Sequence, residues 1–570
     1  VKNVLFRLFA ATALFWAVAC EKPGQPGNDT PDPGNGGVDA PTEINGTAIL
    51  EGNNLVGLVT DSATGKGIAG VAVSDSYTVV KTDANGVYQF KGSRYASTMF
   101  ISVPAEYQIP LDDAGKPAFY KVGIVANSVN RNDFTLTPLA ESEENFTFLA
   151  IGDPQCTNES EISRYQNETI EDIKTTLSTN QAEGKYKHAY AVTLGDIVND
   201  TPDLWESLKP TMENVQLSDG SYLPFFQCIG NHDHNAKESS DRTAKNNFHK
   251  HFGPSDYSFN RGKVHVVVMD NVVCTKTDNK SWDYNAGFSK SQYNWLRDDL
   301  DAVEDKENKM VILCCHIPFR SGANSGGASV NKDKYYAETL ELLTQFKEAH
   351  IMIGHTNYIH EKYVAKGGLP IYEHVHGGAC GGWWSCNMCV TGAPNGYGIY
   401  EIEGAGMKNW IAKSTNKPEK FQMKVYNGNQ TYTGKKGYTY NWFKNSNGGS
   451  NSIKYTGRSY LTNCFVVSLW NDDDTNWTVE FTHNGQTVPM TRTVQTVMDA
   501  AAVSYFFNEC GKNTDTWTKG MYHFWYLLAP EGVDPSELTG WTVTATQTIP
   551  GSGVKNVYTT GSLQTDYSGF

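Results

Sequence analysis

The chain has 570 residues, with 62 Asp and Glu against 47 Lys and Arg and a net charge of −15. It carries no basic run or patch, which excludes a general nucleic-acid binder, because affinity for a phosphate backbone comes from cationic side chains. Aromatic content of 12% together with 53 glycines suits an exported, β-rich chain of several domains rather than a helical cytosolic one.

In chain order, Lys2 and Arg7 precede an apolar stretch that runs to Ala19, and Ala17-Val18-Ala19 leads directly into Cys20. This stretch is too short and one-sided for a permanent membrane span and reads as a secretory signal over residues 1–20. Ala-Val-Ala-Cys resembles a bacterial lipobox. That implies a lipidated Cys20, membrane contact through the lipid anchor alone, and a cell-envelope location, periplasmic or at the cell surface. Residues 21–45, rich in Pro, Gly, Asn and Asp, read as a flexible tether. Residues 46–140 show short alternating runs broken by turns, Asp83-Ala84-Asn85-Gly86 among them, and predict a small β-sandwich.

Residues 145–405 alternate in type. Strands are predicted over 146–151, 188–194, 225–229, 264–269 and 310–315, and helices over 159–177, 290–303 and 334–349, the second capped by Ser289. Such alternation predicts layered α/β packing. Residues 415–570 return to β-rich patterning. Trp410, Trp442, Trp470 and Trp525 read as core packing, with a sugar-stacking face as the alternative. Cys228, Cys314 and Cys315 lie in apolar runs and read as small buried hydrophobes.

Five polar clusters punctuate the middle region. They are Gly152-Asp153-Pro154-Gln155, Gly195-Asp196, Gly230-Asn231-His232-Asp233, His316 after Cys314-Cys315, and Gly354-His355-Thr356-Asn357. Singly these are ordinary turn sequences. In order, and mostly after apolar runs, they place carboxylates, imidazoles and amides at strand ends that converge on one crevice. That donor set describes a dinuclear metal site.

In this order the clusters resemble the calcineurin-like metallophosphoesterase superfamily over about residues 145–400. The stretch Gly65-Lys66-Gly67-Ile68-Ala69-Gly70-Val71, with Thr82-Asp83-Ala84-Asn85-Gly86-Val87-Tyr88, is similar to the prealbumin-like module, so the chain resembles three-domain exported bacterial phosphoesterases. The resemblance implies a layered β-sandwich flanked by helices, with an N-terminal all-β sandwich and a C-terminal β-rich domain. It implies hydrolysis of a small phosphorylated substrate, a mono- or diester, by metal-bound hydroxide between two divalent ions drawn from Mn, Mg, Fe, Zn or Ca. Asp153 and Gln155 would bind the first ion, Asp196 would bridge, and Asn231, His316 and His355 would hold the second. Asn357 stands where the family usually has a second His of its Gly-His-x-His motif. His232 would protonate the leaving oxygen, with Asp233 orienting or charging it. By its position four residues after Asp196, Asp200 reads as fixing its own loop, with an approach to the site as the alternative.

Gln155 and Asn357 depart from the family pattern. Two amide oxygens in place of imidazoles favour Mg²⁺, Mn²⁺ or Ca²⁺ over Zn²⁺ and weaken the first site; His360, or His374 and His376, could supply a replacement ligand. The loop over 374–389 reads as a glycine-rich wall of the cleft, with His376 contacting phosphate and Trp383 and Trp384 meeting the leaving group. The spacing of Cys386 and Cys389 also suits a separate zinc site. Asp472-Asp473-Asp474 reads as a solvated or capping turn. The alternative function is a non-catalytic surface protein that binds glycans or envelope polymers on a degenerate phosphatase scaffold.

Overall fold

Alternation along each strand sorts the side chains of the central domain into two layers of core. In the strand Asn145–Ile151, Phe146, Phe148 and Ala150 face a second sheet, while Leu149 and Ile151 pack with helix residues Ile173 and Leu177. Each such fully buried large side chain contributes about 1.5–3 kcal/mol. The computed structural model describes residues 41–570 apart from 236, 239, 278–280, 321–333, 367–368, 382–385, 434–438, 444–455, 474, 511–519, 522 and 568–570. Cys20 and the signal and tether segments before residue 41 lie outside the described residues, as do Trp383 and Trp384.

The first central sheet has five strands in the order Phe225–Cys228, Ala189–Leu194, Asn145–Ile151, Gly396–Glu403, Gly406–Ser414. Its first three strands are parallel and the last two antiparallel. The second has six, in the order Tyr257–Arg261, Val264–Val268, Met310–Cys314, Glu348–Ile353, Leu369–Val375, His360–Lys366, with a parallel centre and antiparallel edges. Burial on both faces explains why the inner strands read Val-His-Val-Val-Val and Met-Val-Ile-Leu-Cys instead of alternating. Ser289 does cap the helix Lys290–Ala302: its hydroxyl accepts from the Gln292 N–H, and the Gln292 side chain answers to the Ser289 N–H.

Two predicted helices are built differently. The span 159–177 is a helix Glu159–Arg164, a π turn Tyr165–Ile170 and a second helix Glu171–Ala182. The π turn lets the Thr169 hydroxyl reach the Ala379 carbonyl at 2.7 Å, on the loop that follows the second sheet. The span 334–349 is a short helix, Tyr336–Leu343, followed by the strand Glu348–Ile353. An apolar run of this length has no period that separates helix from strand. Pairing on both sides, with Met310–Cys314 and Leu369–Val375, decides for strand.

On either side lie β-rich domains. The N-terminal one packs a sheet containing Leu55–Asp61, Val87–Phe90 and Phe134–Leu136 against one containing Ala72–Ser74, Thr98–Ile101 and Tyr120–Val122. The C-terminal one holds two four-stranded sheets, centred on Cys464–Leu469 and on Trp477–His483 with Trp541–Thr548, and the helix Ala500–Asn508. Trp410, Trp442 and Trp470 are buried and Trp525 packs against a C-terminal core, so none of the four forms a stacking surface. Asp473 accepts from the Thr475 and Asn476 N–H groups, a capped turn. Among the described residues no helix is long and apolar enough to cross a membrane.

Cys386 is bonded to Cys510, which removes it from any zinc pair with Cys389. The disulfide closes a loop of 124 residues and ties the loop after the second sheet to the C-terminal domain. Cys510→Ser should lower unfolding stability by about 2–4 kcal/mol, read from denaturant titration.

Candidate metal centre

Five strands from the two sheets end at the same crevice. Asp153 and Asp196 each lie two residues beyond a strand of the first sheet, and Asn231 lies three beyond another. His316 and His355 lie two beyond strands of the second. The backbone there is bent out of the extended path. Asp153, Gln155, Asp196, His355 and Asn357 have φ of +42°, +44°, +51°, +70° and +57°. Each non-glycine residue in that region costs of order 1–3 kcal/mol and persists only where its surroundings hold it. Here the holding bonds are visible. The His355 N–H donates to both Asp153 carboxylate oxygens at 3.0 and 2.9 Å, the His232 N–H to Asp196 Oδ1 at 2.8 Å, and the Gln155 N–H to the Asp196 carbonyl at 2.8 Å.

The side chains converge tightly. His316 donates from Nδ1 to the Leu194 carbonyl at 2.7 Å, which turns Nε2 towards Asn231 Oδ1 at 3.0 Å and Asp196 Oδ2 at 3.2 Å. His355 Nδ1 lies 2.9 Å from the same Asn231 oxygen and 3.2 Å from His316 Nε2. Gln155 Nε2 donates to Asp196 Oδ2 at 3.0 Å. A carboxylate, two imidazoles and an amide oxygen thus point at one small volume, and the donor atoms of Asp196, His316 and His355 lie within 4.8 Å of one another. Asn357 adds an independent sign. Its Oδ1 is fully buried and, among the described residues, accepts no hydrogen bond. An orphaned amide oxygen is costly unless something electropositive faces it, so the residues present fit a pair of hard-to-borderline divalent cations.

Electrostatics fit the same picture. Burial works against a charged His316, yet the carboxylates of Asp196 and Asp153 hold it up at about 9, while burial and the adjacent His316 push His355 down to about 3. Burial raises Asp153 well above the usual carboxylate range. Asp196 falls below that range despite its burial, because His316 and His232 face it. The facing nitrogens His316 Nε2 and His355 Nδ1, 3.2 Å apart, cannot both carry a proton.

Glycines make the approach possible. A Cβ on Gly230 would stand 2.1 Å from the Asp196 nitrogen and 2.3 Å from its Oδ1, and one on Gly354 would stand 2.7 Å from Asp153 Oδ2. Gly230→Ala should therefore cost about 1–3 kcal/mol through backbone displacement and reduce metal uptake, as thermal unfolding and metal analysis will show.

His232 stands beside the cluster, not in it. Its ring is 31% exposed and donates from Nδ1 to Asp200 Oδ1 at 3.0 Å. Burial disfavours the charged ring, but Asp196 and Asp200 outweigh it and lift His232 to about 9. Asp233 does not orient this ring, although its charge adds to those that raise it. It is buried and accepts from the N–H groups of Ile197, Val198 and Gly230, tying the Asp196 loop to the His232 turn. Asp200 is the orienting carboxylate, and its own φ of +59° marks the bend that brings it there.

His376 does not reach the crevice. Its ring is buried between the sheets, with Nδ1 at 2.9 Å from the Ile353 carbonyl and Nε2 at 2.8 Å from the Tyr400 hydroxyl, so it has no nitrogen for phosphate. His374 pairs with Glu361 and His350, and His360 is buried beside Tyr358. None of the three replaces an imidazole at the first site. One residue escaped the sequence reading altogether. Tyr284, on the hairpin Val272–Thr277 and Ser281–Ala286, sets its ring edge-on to His355 at 6.0 Å.

Residues 146–358 match the family model described as calcineurin-like phosphoesterase. Residues 53–139 match that of the N terminal of calcineurin-like phosphoesterase, and residues 373–548 that of its C terminal. No curated protein matches the chain. Among solved structures it is similar to a purple acid phosphatase from yellow lupin seeds, with 13% identity, a TM-score of 0.31 and coverage of 48% of this chain and 52% of that one. It is also similar to phosphopantetheinyl hydrolase from Mycobacterium tuberculosis, with 10% identity, a TM-score of 0.26 and coverage of 41% and 91%. The chain thus spans about half the length of the lupin protein.

Proposed function

This chain belongs to the calcineurin-like phosphoesterase family, with that family's N- and C-terminal domains flanking a metallophosphoesterase fold, and we propose on that basis that it hydrolyses a phosphate mono- or diester with two divalent metal ions. The observation that carries the reading is the convergence of Asp196 Oδ2, Asn231 Oδ1, His316 Nε2 and His355 Nδ1, with His232 held beside them by Asp200.

Asp153, Gln155 and Asn357 would hold the first ion, Asn231, His316 and His355 the second, and Asp196 would bridge them. When bound, such a pair clamps the phosphoryl oxygens and lowers the pKa of water into the neutral range. The chain's own groups set the rest. His316 is locked by the Leu194 carbonyl with Nε2 inward, so it needs no reorientation to bind. Gln155 donates its amide nitrogen to Asp196 Oδ2 at 3.0 Å, which fixes its side chain against the bridging carboxylate. His232, anchored through Nδ1, keeps its second ring nitrogen, Nε2, as the atom that delivers a proton to the leaving oxygen. Asn231 and Asn357 bind through neutral oxygens and add no negative charge against an anionic substrate.

Oxygen-rich ligation of the first ion favours Mn²⁺ or Mg²⁺ there. Asn357→His should shift competitive loading from Mn²⁺ towards Zn²⁺, measured by metal analysis after dialysis against both. The Cys386–Cys510 disulfide supports an oxidising compartment, in keeping with an exported protein anchored through Cys20. Hydrolysis of a panel of phosphomonoesters and phosphodiesters by protein loaded with each metal tests the function. Cleavage of none of them by metal-replete protein would contradict it, and retained glycan binding in that case would favour a binding role.

A further inference from the structure

A second group of metal-capable side chains lies just behind the Asn231–Asp233 turn and takes no part in the site above. The donor atoms of His234, Asp241 and Cys274 all lie within 4.8 Å of one another. They come from three separate segments: the residue after the turn, the start of the short helix Asp241–Ala244, and the strand Val272–Thr277. Their arrangement is already fixed. His234 donates from Nδ1 to the Gly230 carbonyl at 2.8 Å, the bond that typically sets a metal-binding imidazole and directs its Nε2 outward. That Nε2 lies 3.3 Å from Asp270 Oδ2. The Cys274 N–H donates to Asp241 Oδ1 at 2.8 Å, which brings thiol and carboxylate side by side.

Carboxylates crowd the same spot. Asp241, Asp256 and Asp270 surround one ammonium, that of Lys245, whose Nζ sits 2.7 Å from Asp270 and 4.0 Å from Asp241. Arg242 stacks over the Tyr95 ring at 5.6 Å. Lys245 is held closer to Asp270 than to Asp241, whose carboxylate lies beside the Cys274 thiol and the His234 ring. Asp241, Lys245 and Asp256 also line a cavity of about 510 Å³ at the seam between the N-terminal and central domains, which gives an ion a way in.

We propose that His234, Asp241 and Cys274 bind a structural zinc-type ion, separate from the dinuclear centre. One imidazole, one thiolate and one carboxylate form a borderline donor set, which selects Zn²⁺ over Mg²⁺, Mn²⁺ or Ca²⁺, with water to complete the tetrahedron. Binding releases the Cys274 thiol proton and the Nε2 proton that His234 holds against Asp270, both to solvent, and leaves His234 neutral. The ion would staple the hairpin that carries Tyr284, and the helix at Asp241, to the turn that carries Asn231 and His232. No phosphoesterase ligand takes part, so the site stands or falls independently of the proposed hydrolysis.

Cobalt substitution tests it, because Co²⁺ bound to a thiolate shows an intense near-ultraviolet charge-transfer band that oxygen and nitrogen ligands do not give. Wild-type protein and Asp196→Asn should both show the band at saturating Co²⁺. Cys274→Ser should lose it and bind one cobalt fewer, with its far-ultraviolet dichroism unchanged. His234→Gln should weaken it. A wild-type chain without the band, or a Cys274→Ser chain that keeps it, overturns the proposal.

Discussion

His232→Ala lowers kcat on phosphate esters by about 10²–10⁴-fold, the range expected for loss of a positioned general acid, and leaves metal content unchanged. Both halves follow from placement. The ring lies outside the convergent donor atoms, and the hydrogen bond from this residue to Asp196 comes from its backbone N–H, which survives the substitution. The side chain is anchored to Asp200 and partly exposed at the crevice, where a leaving group would depart. The loss should therefore depend on the leaving group. A p-nitrophenolate, which departs without a proton, should show the smallest drop, and an alkyl alcohol the largest. Asp200→Asn should keep part of the activity, since it loosens the ring without removing the proton donor. A uniform drop across leaving groups, or a loss of metal, would assign His232 to a different role.

Asp196→Asn should have the larger effect on the centre itself. The Asp196 carboxylate meets side chains of both proposed subsites: Oδ2 faces His316 Nε2 at 3.2 Å and receives Gln155 Nε2 at 3.0 Å, while Oδ1 receives the His232 N–H at 2.8 Å. An amide in its place has one acceptor oxygen, so it cannot serve both cations and also accept from His232. It also removes the anion that offsets repulsion between the ions. Metal content should fall from two equivalents to one or none. kcat/KM should drop by more than the roughly 10–100-fold that follows loss of a group merely supporting a ligand. Metal analysis and steady-state kinetics on the same preparation measure both. The change should not unfold the metal-free chain, because an Asn keeps the oxygen that the His232 N–H needs.

The strands over 146–151, 188–194 and 310–315 were legible because burial on both faces leaves continuous apolar runs, each stopped by a Gly-Asp turn or a strand-end His. The strand Glu348–Ile353 was not. Its apolar run follows directly on a genuine helix, and the partners that make it a strand lie far away in sequence. At the site, spacing alone pointed to the groups that converge, since strand ends of parallel sheets share one edge. It could not say which carboxylate meets His232. Asp233 is adjacent in sequence, but adjacency sends its side chain back to the Asp196 loop, while Asp200 arrives through a left-handed bend. His376 misled for a similar reason. It stands at a strand end like the others, but its side chain points between the sheets to Tyr400. Tyr284 gave no signal, because a tyrosine in a two-stranded hairpin looks like any exposed aromatic until the hairpin folds over His355.

The central claim is that two cations in this crevice make a phosphoesterase. Its most direct test is a titration of metal-free protein with Mn²⁺ in which bound metal and turnover of p-nitrophenyl phosphate and bis(p-nitrophenyl) phosphate are followed in the same sample. Turnover of at least one ester should rise with the second equivalent bound, and Asp196→Asn should stay flat. Two equivalents bound with no turnover of either ester, or hydrolysis that is already complete without metal, would contradict it.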